Sequence, residues 1–364
     1  MSVHFYWYVP TNGDGEYLGL NEPQRKPTLD YIVNVAKAAE EAGFEGVLIP
    51  TGIPYLDSWI VGSAIIHHTR TIKPLIAFRP GFIAPTVAAK MAATLDQFSE
   101  GRMLVNVVTG GSAKELGQDG DFVEHNERYA RTGEFLDVVQ KSWTEEKVNH
   151  IGDYFTVSDG VLNPSIHQSP NIPIYFGGSS DAAKEIAAKS ADVYLQWGEP
   201  AEQIEQQIND VKQRARKYGR QLEYGVRIHV IVRDEENEAW EAARKIISRA
   251  GRESLENMNH YYETTDSVAQ KRMNELTKNK ERFGRYGWSG IGKIRKGAGT
   301  AIVGTPEQVR EGLQEYIDIG VKHFILSGFP HLEEAERFGR TVRPLFGEKG
   351  FMSRKIPKTK EGRI

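Results

Sequence analysis

VRIHVIVRDEENEAWEAARKII, residues 226–247, joins a nearly continuous apolar run to an amphipathic one across a short polar joint. Side chains alternate along a strand, so Val226, Ile228, Val230 and Val232 share one face while Arg227, His229 and Ile231 share the other. A strand that is apolar at most positions belongs in a sheet covered on both sides, as in parallel α/β architectures, and the helix-period segment that follows supplies one cover. Arg227 is the anomaly. A guanidinium rarely enters a protein interior uncompensated, so this strand holds a cation that needs a reason.

The same strand-then-helix unit recurs along the chain. HFYWYVP (4–10) precedes LDYIVNVAKAAEEAG, EGVLIP (45–50) precedes DSWIVGSAIIHH, and KPLIAF (73–78) precedes PTVAAKMAATLDQFS. MLVNVVTG (103–110), IPIYFGG (172–178), DVYLQWG (192–198) and HFILSGF (323–329) each lead into a further helical segment. Eight such units imply a closed (β/α)8 TIM barrel; an open doubly wound sheet is the second topology the pattern admits. Insertions follow strands four and seven. Residues 144–171, punctuated by Gly152, Asp159 and Gly160, read as a β-hairpin, and the polar stretch 252–300, ending in IGKIRKGAGT, is long enough for a mobile lid over an active site. The expected organisation is one domain over residues 1–347 and a solvated basic tail over 348–364.

The chain has 364 residues, with 46 basic and 49 acidic side chains and a formal charge of -3, which leaves no electrostatic footprint for nucleic acid or an anionic membrane. No run approaches the roughly 18 apolar residues of a membrane helix, and MSVHFYWYVP lacks the pattern of a signal peptide, so a cytoplasmic protein is expected. The absence of cysteine excludes disulfides, thiolate metal sites and a cysteine nucleophile. No metal site is expected either: His67 and His68 are adjacent on a helix and cannot face one ion together, and no His-Glu-x-x-His spacing occurs.

In such a barrel chemistry sits at the carboxyl ends of the strands. Asn106, Thr109, Trp197, Arg227 and His229 lie there, and Ser179 and Ser180 follow Gly177 and Gly178 just before a helix. Glycines that admit a close backbone approach, a helix N-terminus and two hydroxyls suit a phosphate, although Ser180 serves equally well as an ordinary helix cap. Paired carboxylates of a glycosidase are missing from these ends.

These pieces also carry a resemblance. PTNGDGEYLG, LIPTG, AAKMAATLD, NVVTGG, IYFGGSSDAA, YLQWGEP, GVRIHVIVRD, GAGTAIVG and SGFPHLEEA, in this order along the chain, resemble the flavin-dependent alkanesulfonate monooxygenases of the bacterial luciferase-like superfamily. The resemblance implies a two-component enzyme that takes reduced FMN as a cosubstrate from a separate NAD(P)H-dependent FMN reductase. With O2 it cleaves the C–S bond of an organosulfonate to aldehyde and sulfite. It implies that Arg227 and Arg295 hold the sulfonate, that His229 moves a proton, and that Trp197 walls the pocket. It also implies FMN contacts at Asn106 for the ring and at Tyr129, Gly178, Ser179 and Ser180 for the phosphate end, and a homo-oligomer, dimer or tetramer. The chain departs from the family at Ile53-Pro54-Tyr55-Leu56, where arginine, cysteine and glutamate are replaced, at Asn12 in place of histidine and at Phe329 in place of tyrosine. Other functions open to the superfamily are hydride transfer with deazaflavin F420 and flavin binding without catalysis.

Overall fold

The computed structural model describes residues 2–347; the basic tail expected over 348–364 lies outside the described residues. Eight parallel strands close into a barrel: β1 (His4–Tyr8), β2 (Gly46–Ile49), β3 (Lys73–Phe78), β4 (Leu104–Val107), β5 (Ile174–Gly177), β6 (Val193–Trp197), β7 (Glu223–Val232) and β8 (His323–Ser327). Each pairs with its neighbours in order, and β1 closes the ring against β8, with His4 opposite His323 and Tyr6 opposite Ile325. The strands form where the apolar runs were read. Their outward side chains, among them Trp7, Ile49, Phe176 and Phe324, pack beneath the surrounding helices. The inward ones, including Tyr6, Leu75, Leu104, Tyr175 and Ile325, fill the barrel itself. The interior is therefore a packed core, and space remains at the carboxyl ends of the strands.

The first insertion is the expected hairpin, Val148–Ile151 against Thr156–Gly160. Glu134, on the preceding helix His125–Thr144, holds its turn: one carboxylate accepts the backbone N–H groups of Asp153 at 3.0 Å and Phe155 at 2.7 Å.

The second insertion differs from the expected long polar connection. It is built from helices Arg252–Thr264 and Val268–Asn279, a short antiparallel ribbon (Arg282–Phe283 with Gly287–Trp288) and a 3-10 turn, Gly290–Lys293. It ends in a ninth parallel strand, Ala301–Gly304, followed by helix Pro306–Asp318. That unit was not read in the sequence, since four apolar residues after a glycine-rich stretch carry little periodicity. The strand exists because β7, at ten residues, outruns β6: its carboxyl half, His229–Val232, pairs with Ala301–Gly304 instead.

The helix after this strand starts from a capping box. Gln308 N–H donates to the Thr305 hydroxyl at 3.4 Å, while Thr305 N–H donates to the Gln308 side-chain oxygen at 2.9 Å. Thr305→Ala removes one half of it and is expected to cost about 1 kcal/mol. A lowered denaturation midpoint with an unchanged urea slope is the outcome expected, and an unchanged midpoint would remove the cap from the account.

Candidate active site

A cavity of about 800 Å³ opens at the carboxyl ends of the strands, beneath the second insertion. Asn106, Tyr129, Gly178, Ser179, Ser180, Trp197, Arg227 and Arg295 all stand on its wall, so residues far apart in sequence converge on one space. The volume lies within the range of small-molecule and cofactor sites.

Arg227 is 4% exposed and lies with its guanidinium 4.6 Å from the Tyr8 ring centroid. Its Nη1 donates only a long bond, 3.4 Å, to the Ile228 carbonyl, and its Nη2 has no partner. Arg295 approaches the same tyrosine, 5.8 Å from the centroid. Among the described residues neither arginine forms an ion pair with a carboxylate. Burial, with the Arg295 charge beside it, pulls the Arg227 pKa down to about 9. A cation so destabilised, with an unused donor, has the chemistry to take up an anion.

His229 is placed differently from the other residues read as a group with it: it is fully buried and does not reach the cavity wall. Its Nε2 lies 3.1 Å from the Ala298 carbonyl and its Nδ1 2.6 Å from the Ser327 hydroxyl. A carbonyl only accepts, so Nε2 carries the proton and Nδ1 accepts from Ser327. Burial, reinforced by the Arg227 charge, holds the imidazole pKa well below 6.5, which keeps the ring neutral. The Ala298 carbonyl also accepts from Nη1 of Arg295 at 3.1 Å. His229 therefore grips the segment that carries Arg295. Phe329, at the family's tyrosine position, stacks on the imidazole at 5.2 Å rather than entering the cavity.

At the other end of the cavity, Ser180 caps helix Asp181–Ser190 by accepting from Ala183 N–H at 3.2 Å. Gly178 has φ +154°, and a Cβ there would meet that of Ala183 at 2.6 Å, so the close backbone approach requires glycine. Tyr129 hydrogen-bonds to Ser180 through its hydroxyl. Between the two ends, Asn106 Oδ1 and both amide atoms of Gln196 are buried on the cavity wall without partners. Such orphans are rare in native proteins and point to a ligand with donors and acceptors along its edge. The polar edge of a flavin ring fits that description. Gln196 was missed in the sequence, although it interrupts a strand as Asn106 does.

Two further residues lay beyond sequence reasoning. Glu199, after β6, is 1% exposed and accepts from Nε of Arg272 at 3.0 Å; Nη2 of the same arginine donates to Ser179 Oγ at 2.9 Å. Arg272 belongs to the insertion helix Val268–Asn279, so an ion pair with a buried carboxylate latches the insertion onto the cavity beside Ser179.

The luciferase-like monooxygenase family profile matches residues 3–323. Three solved structures share the fold. A riboflavin lyase with modified FMN and riboflavin is 20% identical with a TM-score of 0.79, over 95% of this chain and 91% of that one. A long-chain alkane monooxygenase is 22% identical with a TM-score of 0.78, over 95% and 91%. An F420-dependent secondary alcohol dehydrogenase in complex with an F420-acetone adduct is 19% identical with a TM-score of 0.68, over 94% and 100%.

Removing one partner of a buried pair leaves an uncompensated charge. Arg272→Ala is expected to loosen the insertion, so limited proteolysis should cut within 252–300 several times faster than in the unaltered protein. Equal cleavage rates would mean that the latch does not hold the segment.

Proposed function

The chain belongs to the luciferase-like monooxygenase family, and from that premise we propose that it is a two-component monooxygenase that spends reduced FMN and O2 on cleaving the C–S bond of an organosulfonate. One observation carries this reading: Arg227 is buried on the cavity wall with an unused donor, Arg295 stands beside it, and among the described residues neither is matched by a carboxylate. A sulfonate is a permanent anion with three oxygens, which a guanidinium fork suits.

When bound, the reduced flavin supplies the electron pair that activates O2, and a separate NAD(P)H-dependent reductase supplies that flavin. One oxygen atom ends in the aldehyde and the other in water; the sulfur leaves as sulfite. The chain's own residues bind and orient. Asn106 and Gln196 meet the polar edge of the flavin ring, while Tyr129, Gly178, Ser179 and Ser180 receive its phosphate. Trp197 walls the cavity. Arg227 and Arg295 fix the sulfonate. Ile53, Pro54 and Tyr55, which replace polar residues of the family, line the cavity and favour a substrate with an apolar body. His229 serves as a positioning residue through the Ala298 carbonyl. The insertion over residues 252–300 closes over the occupied site and excludes water.

The direct test combines purified protein, an FMN reductase, NADH and a panel of alkyl and aryl sulfonates, with sulfite measured. Sulfite release from at least one sulfonate is expected. Failure across the panel, together with tryptophan quenching by reduced F420 rather than reduced FMN, would replace this reading with F420-dependent hydride transfer.

Arg227→Ala is expected to weaken sulfonate saturation by about one to two decades while reduced FMN still binds, because a charge-assisted hydrogen bond is worth roughly 1.5–3 kcal/mol. Arg227→Lys should recover only part of this, since an ammonium cannot reproduce the fork.

The pH profile tests the place given to His229. Its folded pKa is depressed, so the ring remains neutral as pH falls through 6.5, and any limb it causes lies well below that value. A limb near 6.5 that vanishes in His229→Gln would return the residue to proton transfer.

A further inference from the structure

At the amino-terminal end of the barrel, opposite the cavity, three strands bring metal-ligating side chains together. His4 opens β1, Glu223 opens β7 and His323 opens β8, and one potential ligand atom from each lies within 4.8 Å of the others. Each is held from behind. His4 Nδ1 lies 2.9 Å from Glu45, His323 Nδ1 lies 3.0 Å from the Tyr175 hydroxyl, and Glu223 Oε1 accepts from Lys322 at 2.7 Å. The atoms left over are Glu223 Oε2, which meets His323 Nε2 at 2.7 Å, and His4 Nε2, which among the described residues has the Ser2 hydroxyl at 3.3 Å.

We propose that His4, Glu223 and His323 form a binding site for a divalent transition-metal ion of the zinc class, which clips β1 to β7 and β8 across the line where the barrel closes. Two imidazole nitrogens and one carboxylate oxygen are a zinc donor set, with further positions left for water. The partners behind the ligands match the usual outer arrangement of such sites, in which the second ring nitrogen of each histidine is hydrogen-bonded and so fixes the coordinating one. The ion takes the place of the proton between His323 and Glu223. That proton moves to His323 Nδ1, where the Tyr175 oxygen accepts it and the Tyr175 hydroxyl donates onward to Tyr6 at 2.8 Å. Lys73, 4.0 Å from Glu45, and Lys322 stay outside the ligand atoms. The two imidazoles are stacked with centroids 4.8 Å apart, so the His4 ring rotates about its Nδ1–Glu45 hydrogen bond, which is kept, to bring the ion into its plane; its side chain is 26% exposed. Because the ligands come from three distant strands, no sequence spacing announces them.

The test uses full-length, chelator-treated protein titrated with zinc chloride by calorimetry. One saturable ion per chain is expected, with a thermal midpoint that rises with zinc concentration. His4→Ala, at a part-exposed strand end, should abolish both effects, and Glu45→Gln should weaken affinity roughly 10- to 100-fold by releasing the ring it orients. His67→Ala with His68→Ala should leave binding intact. Absence of saturable binding, or one ion per chain bound equally well by the His4→Ala protein, would overturn the site. If His323→Gln does not fold, His4→Ala and Glu223→Gln carry the comparison alone.

Discussion

The cavity is organised around a guanidinium buried without a counter-charge. Taking an arginine out of water costs several kcal/mol unless its donors are used, and within the described protein Arg227 has only a tyrosine face and one long carbonyl contact. A second arginine beside it adds repulsion. Such a pair would be completed by an anion, the premise on which the proposed function rests.

The remaining features place that charge and close over it. His229 spans Ser327 on β8 and the Ala298 carbonyl of the insertion, and the carbonyl in turn accepts from Arg295. The back of the barrel wall therefore sets where the second arginine stands. At the far end of the cavity Arg272 ties the same insertion to Glu199 and Ser179. The insertion is fastened beside Arg295 and beside Ser179, the two places where, on the proposed function, a sulfonate and a flavin phosphate would each supply negative charge.

Much of this was legible in the sequence because buried parallel strands are written as continuous apolar runs, and polar residues that interrupt them stand out. Asn106, Trp197 and Arg227 were found in this way, and Gln196 could have been. What the sequence did not show has one source. Strand Ala301–Gly304 was too short to read, yet it pairs Ala301 with His229, and the loop before it brings the Ala298 carbonyl to the imidazole. Alternation places Arg227 and His229 on one face; it does not say that the loop leading into this strand meets the second of them. The Arg272–Glu199 latch and the histidines of β1 and β8 join distant segments, and only the folded chain brings them together.

The central claim is that the cavity selects a negative charge at Arg227. It is tested most directly by loading the protein anaerobically with reduced FMN and titrating it, with tryptophan fluorescence as readout, with an alkanesulfonate and with the uncharged sulfonamide of the same carbon chain. The account predicts that the sulfonate binds at least about tenfold more tightly, the value of one charge-assisted hydrogen bond. Equal affinity for the two would contradict it.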